Sequence, residues 1–468
     1  MRFFAYGLVL GLAALAGCAA ESAESAEEEA AASDADLTSA PSPQQIAWAQ
    51  SLRATIDAID VNTAVAPSAR VDRTALYARL EQELFAAPEA PAAFIGALRK
   101  ATLAYPSGHL GFWTNDNACW SGGDVALAST TKLAACTQPY GDHAVVSVAG
   151  PGSILKAGDE VLAVDGRRGE EMLTASLEQP MCTSASASPS NRRYTAATSL
   201  FALAKPGMQI EVKHVDGTIE TKTVTAVTQP LECRDAFGRD TRFVAKSWMQ
   251  GDVGVVRVPS FNTPQRDGET MEQAQERMHA ELVAAFEQVK HARAIVWDLR
   301  NNGGGTTPFG LEIVAGFPGA RAGAAAGTYR GRHAGTNVFR DPYTYRLPAR
   351  GVFAYDGKVA MLIDGLTISA ADYTARAAKL ASDAVLLGAP AAGAYGGGGE
   401  TVTVGQFPSV VVRTDPWLGV EDDGSVLEGK GTEPTIAVEL EPEDLARGVD
   451  TVMERALEVL RAPAGPGT

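Results

Sequence analysis

The chain predicts an α/β (α+β) core preceded by a small β domain and a short N-terminal helical region. Three observations carry this. At 468 residues the chain is too long for one hydrophobic core and calls for two or three domains. From about Phe243 onward, apolar runs of strand length alternate with longer amphipathic stretches, the pattern of a layered α/β structure. Between about Asn115 and Gln229 the runs are all short and broken by turn residues, as in a β module. The formal charge of −16 argues against a nucleic-acid partner, although part of it sits in one acidic tract near the start.

The first stretch is a targeting segment. Arg2 precedes the apolar run Phe3 to Ala16, too short to span a bilayer comfortably and the right length for a signal-peptide core. It ends in Leu15-Ala16-Gly17-Cys18, which resembles the lipobox of bacterial lipoproteins. The resemblance implies that residues 1–17 are removed and that Cys18 is acylated, fixing the protein to a lipid bilayer. By the same resemblance, Ala19 rather than Asp after the cysteine implies the outer membrane of a bacterial cell envelope. The plainer alternative is an ordinary secretory signal with an incidental cysteine. Residues 18–45 are mostly Ala, Ser and Glu and read as a flexible tether.

Export implies an oxidising compartment, and Cys119, Cys136, Cys182 and Cys233 fit one. Of the three possible pairings, Cys119–Cys136 with Cys182–Cys233 is favoured because each bond stays within one region. The spacing does not suggest zinc, and no metal or organic cofactor is expected.

The helical region, 46–114, holds three amphipathic patterns: Gln44 to Ile59, Asp72 to Ala86 with Leu76, Leu80 and Leu84 on one face, and Pro91 to Ala104. It runs into Pro106-Ser107-Gly108-His109-Leu110-Gly111-Phe112-Trp113. In the β domain, 115–235, strands are expected at Ala144 to Val148 and Glu160 to Val164. A hairpin of Gln209 to Lys213 and Thr221 to Val227 is expected around Asp216-Gly217. The run Leu155-Lys156-Ala157-Gly158-Asp159-Glu160-Val161-Leu162-Ala163-Val164-Asp165-Gly166 resembles the central motif of PDZ domains, which add a peptide as an extra strand. Two departures stand against that binding mode. The usual helix after the carboxylate-binding loop shrinks to Gly152-Ser153-Ile154, and a polar insertion carries Cys182 and several serines.

The core, 236–465, is read as strand Gly254 to Val258, helix Glu269 to Val289, strand Ala294 to Leu299, strand Val359 to Ile363 and helix Tyr373 to Leu380. A strand from Ala384 ends at Gly388-Ala389-Pro390, and a closing helix spans Glu443 to Arg461 with Gly448 a weak point. Two of its turns carry chemistry. Asp298-Leu299-Arg300-Asn301-Asn302-Gly303-Gly304-Gly305 follows a buried strand, and its glycines allow close backbone approach with inward N–H groups. No Lys-Ser or Lys-Thr pair follows, so it is not a P-loop. Gly365-Leu366-Thr367-Ile368-Ser369-Ala370-Ala371-Asp372 sets a serine between strand and helix, near free N–H groups. The plain alternative is a helix N-cap.

Together these turns resemble the tail-specific, or C-terminal processing, serine peptidases. Residues 294–305 are similar to the family's signature strand and turn, and Thr367 to Asp372 to its nucleophile motif, with Asp372 where Glu is usual. The order of helical region, PDZ-like domain and α/β core is similar too. One branch uses a serine–lysine dyad, but its lysine position is Ala394 here, so only a displaced lysine such as Lys379 could serve. The branch similar to the tricorn protease core uses a histidine base and a glutamate. Gly108-His109-Leu110-Gly111-Phe112 fits the histidine turn, with Gly108 where that branch can carry serine. Glu428-Gly429-Lys430-Gly431-Thr432-Glu433-Pro434 fits the glutamate segment, with Glu433 or Glu421 as substitutes.

The resemblance implies Ser369 as nucleophile, His109 as general base and Glu428 as supporting carboxylate. N–H groups of Gly303, Gly304 and Ala370 would form the oxyanion hole. The implied substrate is a peptide or unfolded protein. Two rivals remain: a catalytically inactive lipoprotein that binds peptides or apolar ligands, and an envelope scaffold whose glycine turn and Ser369 lie on different faces. Oligomeric state is left open.

Overall fold

Strand residues of the core alternate between two apolar clusters, and this alternation builds the central sheet. The computed structural model describes residues 40–114, 126–127, 130–182, 186–227, 231–233, 245–405 and 407–462. The signal segment, Cys18, Cys119 and nearly all of the tether lie outside them. Six strands lie in the order Lys246–Gln250, Val253–Arg257, Ala294–Asp298, Lys358–Ile363, Val385–Gly388 and Ile436–Ala437. The first pair is antiparallel and the other four pairings are parallel.

Val256, Ile295, Trp297, Met361 and Leu386 face a cluster shared with helices Met271–Glu287, Thr307–Ala315 and Ala370–Ala381. Val255, Val296, Ala360, Leu362 and Leu387 face the opposite cluster, which includes helix Thr451–Arg461. Burial on both faces explains why these strands read as continuous apolar runs. The expected single closing helix is instead two, Pro442–Ala446 and Thr451–Arg461. Gly448 takes φ 70° between them, and the Asp450 side chain accepts the Met453 N–H to start the second.

The small β sheet runs Ile219–Thr223, Gln209–Lys213, Glu160–Val164, His143–Ala149 and Ala135–Tyr140; the hairpin forms around Asp216-Gly217 with Ile219 opposite Lys213, its second strand starting and ending earlier than the expected Thr221 to Val227. Gly152-Ser153-Ile154 is a turn and not a shortened helix. The polar stretch read as an insertion supplies a helix, Pro189–Thr198, with Pro189 in its first turn and the Ser188 side chain accepting the Asn191 N–H.

The favoured cysteine pairing is wrong. Cys136 is bonded to Cys233, with Cα atoms 5.3 Å apart across a sequence separation of 97. The cause is a short antiparallel pairing of Leu231–Glu232 with Thr130–Thr131, which returns the chain beside Cys136. Cys182 is also disulfide-bonded, and not to Cys233.

The helices Pro43–Asn62, Arg73–Ala86 and Pro91–Leu103 pack Leu76, Leu80 and Leu84 against Trp48, Leu52, Ile56, Phe94 and Leu98. The same cluster takes in Phe112, Val404, Val410 and Val412. Strand Gly111–Thr114 pairs antiparallel with Phe407–Arg413, Gly111 opposite Arg413, so the N-terminal region is sewn into the core by backbone hydrogen bonds. Among the described residues no helix is long and apolar enough to cross a membrane.

Candidate active site

The Asp-Leu-Arg part of the signature turn is scaffold. Burial pushes the Asp298 carboxyl up, but Arg257 and Arg300 more than offset this and hold it well below the usual carboxylate range. Arg257 Nη1 donates to Asp298 Oδ1 at 2.9 Å, and Arg300 Nη2 donates to Asp298 Oδ2 at 2.8 Å and Asp450 Oδ2 at 2.7 Å. This network ties the end of the central strand to the cap of the last helix.

The following residues bind the serine turn. The Asn301 N–H donates to Asp364 Oδ1 at 2.8 Å, Thr367 Oγ1 to the Leu299 carbonyl at 3.1 Å, and the Ile368 N–H to the Asn302 carbonyl at 2.9 Å. Buried Asn302 donates through Nδ2 to the Val258 carbonyl. Gly304 lies directly against Ser369: a methyl on its Cα would sit 2.6 Å from Ser369 Cβ and 2.9 Å from the Ala370 nitrogen. With φ +86°, this position admits little but glycine. The glycine turn and Ser369 therefore share one face. The Gly304 N–H does not point into an open cradle, however. It donates to Asn302 Oδ1 at 2.9 Å, which corrects its expected place among the oxyanion donors.

Ser369 occupies the N-cap position of helix Ala370–Ala381, yet its side chain makes no capping bond. Its backbone takes φ 59°, ψ −122°, a strained conformation for a residue with a Cβ. The strain is held by the Ser369 N–H donating to the Ala394 carbonyl at 3.0 Å and the Ser369 carbonyl accepting the Tyr373 N–H at 3.0 Å. Asp372 is fully buried. Its carboxylate accepts the Gly393 N–H and the hydroxyls of Tyr395 and Thr432, each at 2.7 Å, and burial pushes it up to about 6. Its role is to fix the loop at 393–395 against the serine helix.

Ala394 links the serine turn to the histidine turn: a methyl on Gly108 would lie 2.3 Å from Ala394 Cβ. No lysine fills the dyad position: Lys379 is exposed and donates to the backbone carbonyl of Glu433, itself an exposed residue. Glu421 pairs with Arg376. His109 is buried, and its carbonyl accepts from Arg413 Nε at 3.3 Å. Burial and the Arg413 charge lower its imidazole to about 3, so it is neutral at pH 7. Glu428 accepts the Tyr395 and Gly396 N–H groups on Oε2, each at 2.9 Å, and the Gly108 N–H on Oε1 at 3.4 Å.

Sequence reading missed Asp415. It lies two residues beyond the strand that pairs with the histidine segment, where no motif marked it. Ser107 Oγ donates to Asp415 Oδ2 at 2.7 Å and accepts the N–H groups of His109 at 3.3 Å and Leu110 at 3.1 Å. Asp415 Oδ1 accepts from Gly397 at 2.9 Å and Trp417 at 3.4 Å. Donor atoms of His109, Asp415 and Glu428 lie within 4.8 Å of one another, close enough for a cation to bridge. All four carboxylate oxygens already accept N–H or O–H donors, so the set fits a hydrogen-bonded acid–base network better than a metal cage.

A cavity of about 370 Å³ lies between strand Ala135–Tyr140, helix Pro189–Thr198 and the carboxyl ends of the core strands. Asn301 and Asp364 line it, but Ser369 and His109 do not.

Residues 252–438 match the model of peptidase family S41. The fold is similar to that of mature CPAF complexed with lactacystin, at 15% identity and TM-score 0.64, covering 90% of this chain and 98% of that one. Mature CPAF alone matches at 15% identity and TM-score 0.64, covering 90% and 97%. No curated protein matches the sequence.

Proposed function

We propose that this chain, whose residues 252–438 match the model of peptidase family S41, is a serine endopeptidase acting on peptides or unfolded protein chains. Ser369 is the nucleophile and His109 the general base. The neutral imidazole takes the Ser369 Oγ proton as Oγ bonds to the scissile carbonyl carbon, then returns it to the leaving amine. The resulting acyl-enzyme is released by water. Gly303 and Ala370 supply the N–H donors that meet the developing oxyanion. Buried Glu428 supports the histidine side of the site.

The observation that carries this reading is the position of Ala394. Its carbonyl takes the Ser369 N–H while its methyl abuts Gly108, so one residue joins the nucleophile turn to the turn bearing His109. The lipobox reading adds acylation at Cys18 and attachment to the bacterial outer membrane, testable by loss of membrane fractionation in Cys18→Ala.

A fluorophosphonate probe tests the chemistry. Labelling should fall on Ser369, vanish in Ser369→Ala and drop at least about a hundredfold in rate in His109→Ala. Absence of labelling at every pH would favour the inactive ligand-binding alternative, for which the cavity of about 370 Å³ is the natural site.

A further inference from the structure

We propose that Asp415, and not Glu428, is the positioning residue for His109, accepting the proton on Nδ1 and leaving Nε2 free to face Ser369. The inference rests on reading His109 as the base. His109 Nδ1 is buried and has no hydrogen-bond partner. Among the described residues, the carboxylate oxygen within 4.0 Å of its ring nitrogens is Asp415 Oδ2, at 3.9 Å. Closing that gap to a hydrogen bond takes a movement of about 1 Å, within the looseness of unliganded sites.

Each carboxylate accepts three donors, two on one oxygen and one on the other, and what separates them is that only Asp415 comes within 4.0 Å of the ring nitrogens among the described residues. Glu428 Oε2 already accepts two backbone N–H groups and Oε1 faces the Gly108 N–H. Glu428 therefore shapes the backbone around Ala394. Asp415 Oδ2 accepts only the Ser107 hydroxyl among the described residues, and an oxygen with two lone pairs can take a second donor. Ser107 also accepts the His109 and Leu110 N–H groups, so the histidine turn and Asp415 are held in register by one hydroxyl.

The charges facing the ring are Asp415, Glu428 and Arg413. Burial pushes Asp415 up to about 6, whereas burial and the neighbouring Asp415 charge raise Glu428 well above its ordinary value. Glu428 is raised further than Asp415 because the Asp415 charge adds to its burial, so Asp415 is the member of the pair that ionises more readily. An anionic acceptor on Nδ1 selects the useful tautomer and stabilises the imidazolium as it forms.

The test uses imidazole ¹⁵N NMR on the full chain in the Ser369→Ala background, with His109 assigned through His109→Gln. At pH 7.5, Nδ1 should carry the proton. Adding Asp415→Asn should abolish the downfield Nδ1 proton signal, and Glu428→Gln should preserve it. An Nδ1 signal indifferent to Asp415→Asn, or lost in Glu428→Gln, overturns the proposal. Should Asp415→Asn fail to fold, Ser107→Ala serves: with its hydroxyl donor removed, Oδ2 turns to the ring and the Nδ1 proton moves further downfield, and no movement refutes the assignment.

In active protein, Asp415→Asn should slow fluorophosphonate labelling by roughly 10²–10⁴-fold at unchanged melting temperature, with partial rescue by Asp415→Glu. The two readings fail separately. A wild type that never labels but keeps an Asp415-dependent tautomer refutes catalysis alone, and a labelling enzyme whose tautomer ignores Asp415 refutes this inference alone.

Discussion

Replacing Gly108 by alanine puts a methyl carbon 2.3 Å from Ala394 Cβ. Two carbons rest at about 3.5–4.0 Å, so the methyls must separate by more than 1 Å. Neither can rotate away, because a Cβ moves only with its backbone. The Ala394 side is pinned by its carbonyl bond to Ser369 and by the Gly393 N–H to Asp372. The histidine side is pinned by Ser107 and by the strand starting at Gly111. Gly108 does not have a positive φ, so the cost is overpacking and not backbone strain. Overpacking of this kind costs about 1–3 kcal/mol, and the absence of a flexible neighbour places it at the upper end. On the proposed mechanism, a displacement of about 1 Å between the histidine and serine turns should also slow labelling of Ser369 about a hundredfold. Thermal melting and the fluorophosphonate rate measure the two effects. Ala394→Gly removes the opposing methyl, so the double variant should recover most of both losses, giving a coupling of about 1–3 kcal/mol. A Gly108→Ala protein that melts and labels like wild type would refute the packing of the histidine turn on the serine turn.

Other perturbations follow from the same structure. Ser369→Gly should melt higher than Ser369→Ala by about 1 kcal/mol or more, because glycine relieves the strained φ of 59°; equal melting would mean that the strain is not stored there. His109 is held at about 3 against an ordinary 6.5, so the unfolded chain binds the extra proton and stability falls as pH drops below 6.5 toward 3. Between pH 7 and pH 5 this group should remove about 2 kcal/mol, and denaturant melts of His109→Gln should lose that much less than wild type. Identical pH slopes would contradict the burial of a neutral imidazole. Cys136→Ala with Cys233→Ala opens a closure spanning 97 residues and should lower stability by about 2–5 kcal/mol, read as a reduced denaturant midpoint. An unchanged midpoint would count against that bond.

Local pattern sufficed for much of the fold. The leucines at 76, 80 and 84, the apolar strand at 294–298 and the glycine-rich turn behind it are specified by residues near one another, through periodicity and backbone freedom. The turn bearing Ser369 was legible for the same reason, since a serine between a buried strand and a helix start is a local arrangement. What local pattern could not settle was partnership. The Cys136 to Cys233 bond depends on a strand pair separated by about a hundred residues, and regional proximity pointed the wrong way. The Gly304 N–H was misjudged because its competitor is a side chain, Asn302, whose rotamer no motif reveals.

The sequence by itself determined the alternation of strands and helices and the place of the glycine-rich turn and of the serine turn between strand and helix, because periodicity and glycine act over short spans. Tertiary structure alone decided that Gly111–Thr114 pairs with Phe407–Arg413, which brings Asp415 beside His109. It also decided that Ala394, already read from the sequence at the dyad lysine position, stands between the histidine and serine turns. Such contacts join residues hundreds of positions apart, and only the packing of the whole chain fixes the distances on which acid–base chemistry depends.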